Sequence, residues 1–154
     1  MGTEQVDLRS LPITHDNIRN FMRDRAEKNI LLGEFEFEHN NIREAIKYTV
    51  EAYDLIMPLT SSDPSNFPYR YLLLIGATGH LLRSGSILQL RNQLTYSDGG
   101  FQSGIDDKWQ QYKALGDSLW GEFKDAAKTV KYGKNMAACF NDFGSGYRNI
   151  PNFY

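Results

Sequence analysis

Cysteine occurs once in this chain, at Cys139, so an internal disulfide is excluded. No succession of basic, apolar and small residues marks a secretory leader at the start, and the two features together point to an intracellular origin. No apolar run reaches the roughly 18 to 20 residues needed to cross a bilayer. The three histidines, His15, His39 and His80, show no His-x3-His spacing and have no second cysteine to join, so a metal site of familiar spacing is not expected. Gly99-Gly100 and Gly144-Ser145-Gly146 lack the spacing and the strand-to-helix setting of a phosphate cradle and read as turns and joints. Basic residues are not clustered either. Residues 1 to 57 carry eleven acidic and seven basic side chains, residues 58 to 154 carry eight and ten, and the whole chain is net −2. A protein that binds nucleic acid by neutralising phosphates would show a basic face.

What is present is 154 residues with 41% hydrophobic and 23% charged content, which suits one globular domain with a sizeable core. The organising stretch is Phe67 to Leu94, FPYRYLLLIGATGHLLRSGSILQLRNQL, apolar on nearly every side and therefore a buried central helix. Phe67-Pro68 suits its first turn, where proline's missing N–H costs nothing. Gly76 and Gly79 would let a neighbouring backbone approach closely. Before it, residues 1–12 read as an N-terminal arm. Thr14 and Asp16 open a short helix over about 15–26, with Ile18, Phe21 and Met22 at helical spacing. Asn29 to Phe37 is a connection that packs back on the core. A second helix spans about 38–57, its stripe formed by Ile42, Ile46, Thr49, Val50, Tyr53 and Ile56, and Pro58 closes it.

After the central helix, Asp98-Gly99 between Tyr96 and Phe101 predicts a short β-hairpin or an ordered loop near 94–104. Asp106 or Asp107 then caps a last helix over about 107–131, with Trp109, Tyr112, Leu115, Leu119, Trp120, Phe123, Ala127 and Val130 on one face and Gly133 ending it. The expected fold is all-α: a small bundle of about four helices over residues 1–131, followed by an extended C-terminal arm over 132–154. That arm loses periodicity yet keeps its aromatics, which a solvated tail would not. Phe140, Phe143, Tyr147, Ile150, Phe153 and Tyr154 are accordingly the expected partner-binding residues, anchors for pockets on another molecule.

Chemistry finds little support. His80 could act as a base for Cys139 as nucleophile, but no third residue orients the histidine, so no catalytic or cofactor-binding residue is expected. Trp109 and Trp120 could stack on bases, but on one helical stripe they read as core. Arg83 and Arg91, two turns apart, read as a solvated or salt-bridged face.

Three stretches carry a family likeness: ITHDNIRNFMRDRAEKNILLGEFEFEHNNIREAIKYTVEAYD, FPYRYLLLIGATGHLLRSGSILQLRNQLTYSDGGFQ, and the Trp- and Tyr-rich last helix with its arm. Together they resemble the head-to-tail connector proteins of tailed bacteriophages, the adaptors that form a ring beneath the portal, over about residues 13 to 150. The resemblance implies a virion protein of the neck, made in the bacterial host cytoplasm and assembled as a homo-oligomeric ring, commonly of twelve copies. It further implies genomic DNA passing through the lumen without specific binding, the C-terminal arm reaching the portal protein, contacts with other neck or tail proteins, and no enzymatic activity, cofactor or membrane. A neck or tail completion protein and a helical protein-binding module unrelated to virions are the alternatives.

Overall fold

A computed structural model describes residues 13–29, 33–91, 97–98, 101–102 and 108–141. Four helices account for most of them: α1 His15–Met22, α2 His39–Leu55, α3 Arg70–Arg91 and α4 Lys108–Asn141. A 3-10 turn, Pro64–Asn66, precedes α3, and β1 Ser97–Asp98 pairs antiparallel with β2 Phe101–Gln102. The all-α bundle expected from the sequence is therefore what forms, with a minimal hairpin inside 94–104. Its register pairs Asp98 with Phe101, which puts Asp98 in the ladder rather than the turn.

The central position of α3 follows from what it buries. Ile18 of α1, Phe37 of the connection before α2, Ile42 and Ala45 of α2, and Ala77 and Leu81 of α3 make one core cluster. Tyr53 of α2, Leu72 and Ile75 of α3, and Phe123 and Ala127 of α4 make the other. Only α2 and α3 belong to both. Glycine is what lets α4 close on α3: a Cβ on Gly79 would lie 3.0 Å from the Trp120 backbone nitrogen, and one on Gly116 would lie 3.0 Å from that of Arg83. Gly76, one turn earlier, faces side chains instead, because a Cβ there would overlap Thr49 Cγ2 and come within 2.8 Å of Phe123 Cδ2. The two helices run antiparallel, so the start of α3 meets α4 far along its length.

Several expected boundaries are corrected. α1 stops at Met22, not near 26, because Arg23 takes the left-handed conformation (φ 61°) and the Asp24 N–H turns back to Arg19 O. At its other end the Thr14 N–H and hydroxyl both donate to Asn17 Oδ1 at 2.9 Å. α2 ends at Leu55 rather than Met57, before a cis Met57–Pro58 bond. Pro68 lies outside the first turn of α3, which begins at Arg70.

The largest correction is to α4, which runs on through Gly133 to Asn141. Residues 132–141 are thus helical, not the start of an extended arm. Glycine costs an exposed helix about 1 kcal/mol, and Met136, Ala137 and Ala138, all good helix formers, follow it. The expected face of α4 is also narrower than its pattern: Phe123 and Ala127 are buried, Leu119 and Trp120 half-buried, and Leu115 exposed.

Candidate partner interface

Lys131 of α4 is 2% exposed, its Nζ donating to the backbone carbonyls of Ile56 at 2.6 Å, Pro58 at 3.0 Å and Asp54 at 3.4 Å. The ammonium also lies 4.4 Å from the Tyr53 ring centroid. Burial pushes its pKa below the usual lysine value, with the nearby Asp54 charge opposing. Burial likewise acts to raise the Asp54 carboxyl, but hydrogen bonds from the Thr60 hydroxyl and from the Ser62 N–H and hydroxyl outweigh it and bring it below the usual value. The α2–α3 loop is thereby fastened to α4 at Lys131. One turn further, the Lys134 ammonium stands 4.9 Å from the Tyr69 ring centroid, next to the first residue of α3.

Beyond that point α4 has left the bundle. Every residue from Tyr132 through Phe140 is exposed. At a rise of 1.5 Å per residue, residues 132–141 project about 15 Å as a continuous helix. Tyr132, Met136 and Phe140, spaced i, i+4 and i+8, share one face and are 56%, 59% and 65% exposed. Of the expected partner-binding residues, Phe140 stands on this overhang. Phe143, Tyr147, Ile150, Phe153 and Tyr154 lie outside the described residues. Tyr132 and Met136 were missed as site residues, although their spacing to Phe140 was readable once the helix was allowed to pass Gly133.

A second apolar surface lies where α1 packs against the start of α3. Ile13 and Phe21 on one wall and Pro68, Tyr71 and Leu74 on the other line a groove of about 730 Å³. Phe21 and Tyr71 are exposed, and the Tyr71 hydroxyl is 3.1 Å from Glu122 Oε1 on α4.

His80, Trp120 and Arg83 have structural partners. His80 stacks on Tyr48 with ring centroids 5.2 Å apart and meets Trp120 edge-on at 6.2 Å, so one aromatic from each of α2, α3 and α4 forms a strip. Arg83 pairs with Asp117 at 3.0 Å and lies over Trp120 at 5.7 Å. Cys139 is exposed on the overhang, nineteen residues along α4 from Trp120. That is about 28 Å of helix, so the structure does not bring the thiol to His80. Among the described residues, no three His, Cys, Asp or Glu side chains gather as metal ligands, and no helix is long and apolar enough to cross a membrane. No family model, curated protein or solved structure matches the chain.

Proposed function

We propose that the chain is a virion structural protein, a head-to-tail adaptor whose copies form a ring between the portal and the rest of the neck or tail, with DNA passing through the lumen. The observation that carries this reading is the α4 overhang: a stiff helix leaving the bundle with Tyr132, Met136 and Phe140 in water. Exposed apolar side chains on a projecting helix are stable in solution only at a cost of about 25 cal/mol per Å², and burial against another molecule removes it. The sequence after Asn141 holds Phe143, Tyr147, Ile150, Phe153 and Tyr154, further apolar side chains suited to the same kind of contact. The likeness of residues 13 to 150 to phage adaptors supplies the identity of the assembly, and the geometry supplies a reason for assembling. Catalysis has no part in it.

The test is the mass of purified protein in dilute solution, alone and with portal protein. Ring-sized particles in either condition are the expected result. A monomer under both conditions would reject the adaptor reading.

A further inference from the structure

Two helices begin side by side. His15 opens α1 and His39 opens α2, and their imidazoles meet edge-on with ring centroids 5.0 Å apart and planes at 84°. His15 is half-buried and His39 exposed. We infer that this pair is an acid-sensitive seam, which holds the first turn of α1 on the first turn of α2 near neutral pH and opens when both rings carry a proton. The seam needs one chain only and is independent of the adaptor reading.

Neutral, the two rings lie in ordinary edge-to-face contact. Protonated, they place like charges at the same short distance, and each charge also stands at the positive end of a helix, where a cation is disfavoured. The surrounding charges are mixed. On α1, Asp16 favours a proton on His15 and Arg19 opposes it; on α2, Arg43 opposes it; and Ala77 and Leu81, which α3 contributes to the core beside Ile18, carry no charge. Glu34 and Glu38, which line a surface depression with His39 and Arg19, are the acids on the α2 side of the seam. The balance at His15 is against the proton, because burial, then His39, Arg19 and Arg43 outweigh Asp16 and hold its pKa below the usual histidine value. The folded chain thus binds this proton less readily than the unfolded chain does. The contribution of the seam is complete above the unfolded value of 6.5 and is lost as the pH falls below it.

The rest of this end of α1 does not answer to the same range. Its cap is the Thr14 N–H and hydroxyl on Asn17 Oδ1, which do not titrate, and ordinary carboxylates titrate near about 4. Ile18 in the core and Arg19 on Asp24 and Phe37 hold the helix one turn further on, so opening is confined to the first turn. An eight-residue helix has little stability of its own, and that turn depends on what it leans against. Ile13 and Asn17 also line the α1/α3 groove, so opening the seam loosens one wall of it.

Hydrogen exchange of the full chain tests the seam, read by mass spectrometry at pH 7.5 and 5.5 and corrected for the intrinsic pH dependence of exchange. Peptides covering residues 13–22 should exchange about fourfold faster at the lower pH, the Boltzmann factor for two unit charges 5.0 Å apart in water, while peptides within 121–131 of α4 should not change. His15→Asn should abolish the rise. His39→Gln, on the exposed side of the pair, should abolish it too and decides the matter alone if His15→Asn does not fold. In an NMR titration of His39→Gln, the His15 ring should take its proton at a higher pH than in the parent chain, as a ring relieved of a neighbouring charge must. His80→Asn, at a histidine set between Tyr48 and Trp120, should leave the rise as it is. No rise in the parent chain, a rise that persists in His15→Asn or His39→Gln, or an unmoved His15 midpoint in His39→Gln would overturn the seam.

Discussion

Two charged side chains inside the protein do the work of tying irregular segments to helices. Arg19 of α1 is 4% exposed, donates to Asp24 Oδ2 at 3.0 Å and to Phe37 O at 2.7 Å, and lies 4.1 Å above the Phe35 ring. Asp24 in turn accepts from the Asn29 side chain and from the Glu36 and Phe37 N–H groups. This knot sets the path of the connection into α2. The partners are unequal. Asp24→Ala strands a buried guanidinium and the three other groups that donated to the carboxylate, and should cost about 3 to 5 kcal/mol. Arg19→Met leaves Asp24 three donors and should cost less. Equal losses in urea unfolding would show that the pair acts only as an ion pair.

Lys131 is the same device without a carboxylate in direct contact. Replacing it by methionine keeps the stem's packing and strips the Ile56 and Pro58 carbonyls of their donor. The expected loss is about 1 to 3 kcal/mol, with amide exchange rising first in the 56–63 loop. A uniform rise across α2 and α3, with the loop no faster than the rest, would count against the fastening role.

At the scale of the element, the glycines divide by what lies opposite them. Gly79 and Gly116 face backbone atoms that cannot move aside, and alanine at either should force α3 and α4 apart at about 1 to 3 kcal/mol. Gly121 and Gly133 have nothing within 4 Å of a built Cβ, so alanine there should stabilise by about 0.4 to 1 kcal/mol through a less flexible unfolded chain. Thermal melts of the four variants check both signs. Destabilisation by Gly121→Ala would mean that its face is covered by something.

The contrast also explains what was legible in the sequence. Phe67 to Leu94 announced a central helix because its apolar residues surround it, and Leu73 and Ile75 are buried, but Tyr71, Ile87, Leu88 and Leu90 are exposed, so α3 is buried over part of its surface rather than all round. Pro68 misled because proline suits both a first turn and the extended residues before one. Gly133 misled for a related reason: glycine ends a helix only when it takes a positive φ, and composition does not reveal whether it will. The buried roles of Arg19, Asp24 and Lys131 were not readable, since their partners are backbone groups distant in sequence and side chains five residues away in an irregular segment, which leave no periodic trace. The overhang stripe was half-readable: Phe140 was singled out as an aromatic, but its relation to Tyr132 and Met136 depended on a helix the glycine seemed to forbid.

For the whole molecule, the question is whether the far end of α4 belongs to the fold or to the assembly. Residues 136–140 are all exposed, whereas Lys131 and Lys134, just before them, hold the loop and Tyr69. A chain ending after Asn135 keeps both lysines and loses Met136 and Phe140. A helix end that is exposed all round frays at little cost, because most helical stability in proteins comes from packing. The truncated chain should therefore melt within about 3 °C of the full one, a shift of roughly 1 kcal/mol for a domain of this size. Its self-association and its co-sedimentation with portal protein should both disappear. A fall of ten degrees or more would mean that residues 136–154 pack on their own bundle, and full association by a stable truncated chain would move the interface off the overhang altogether.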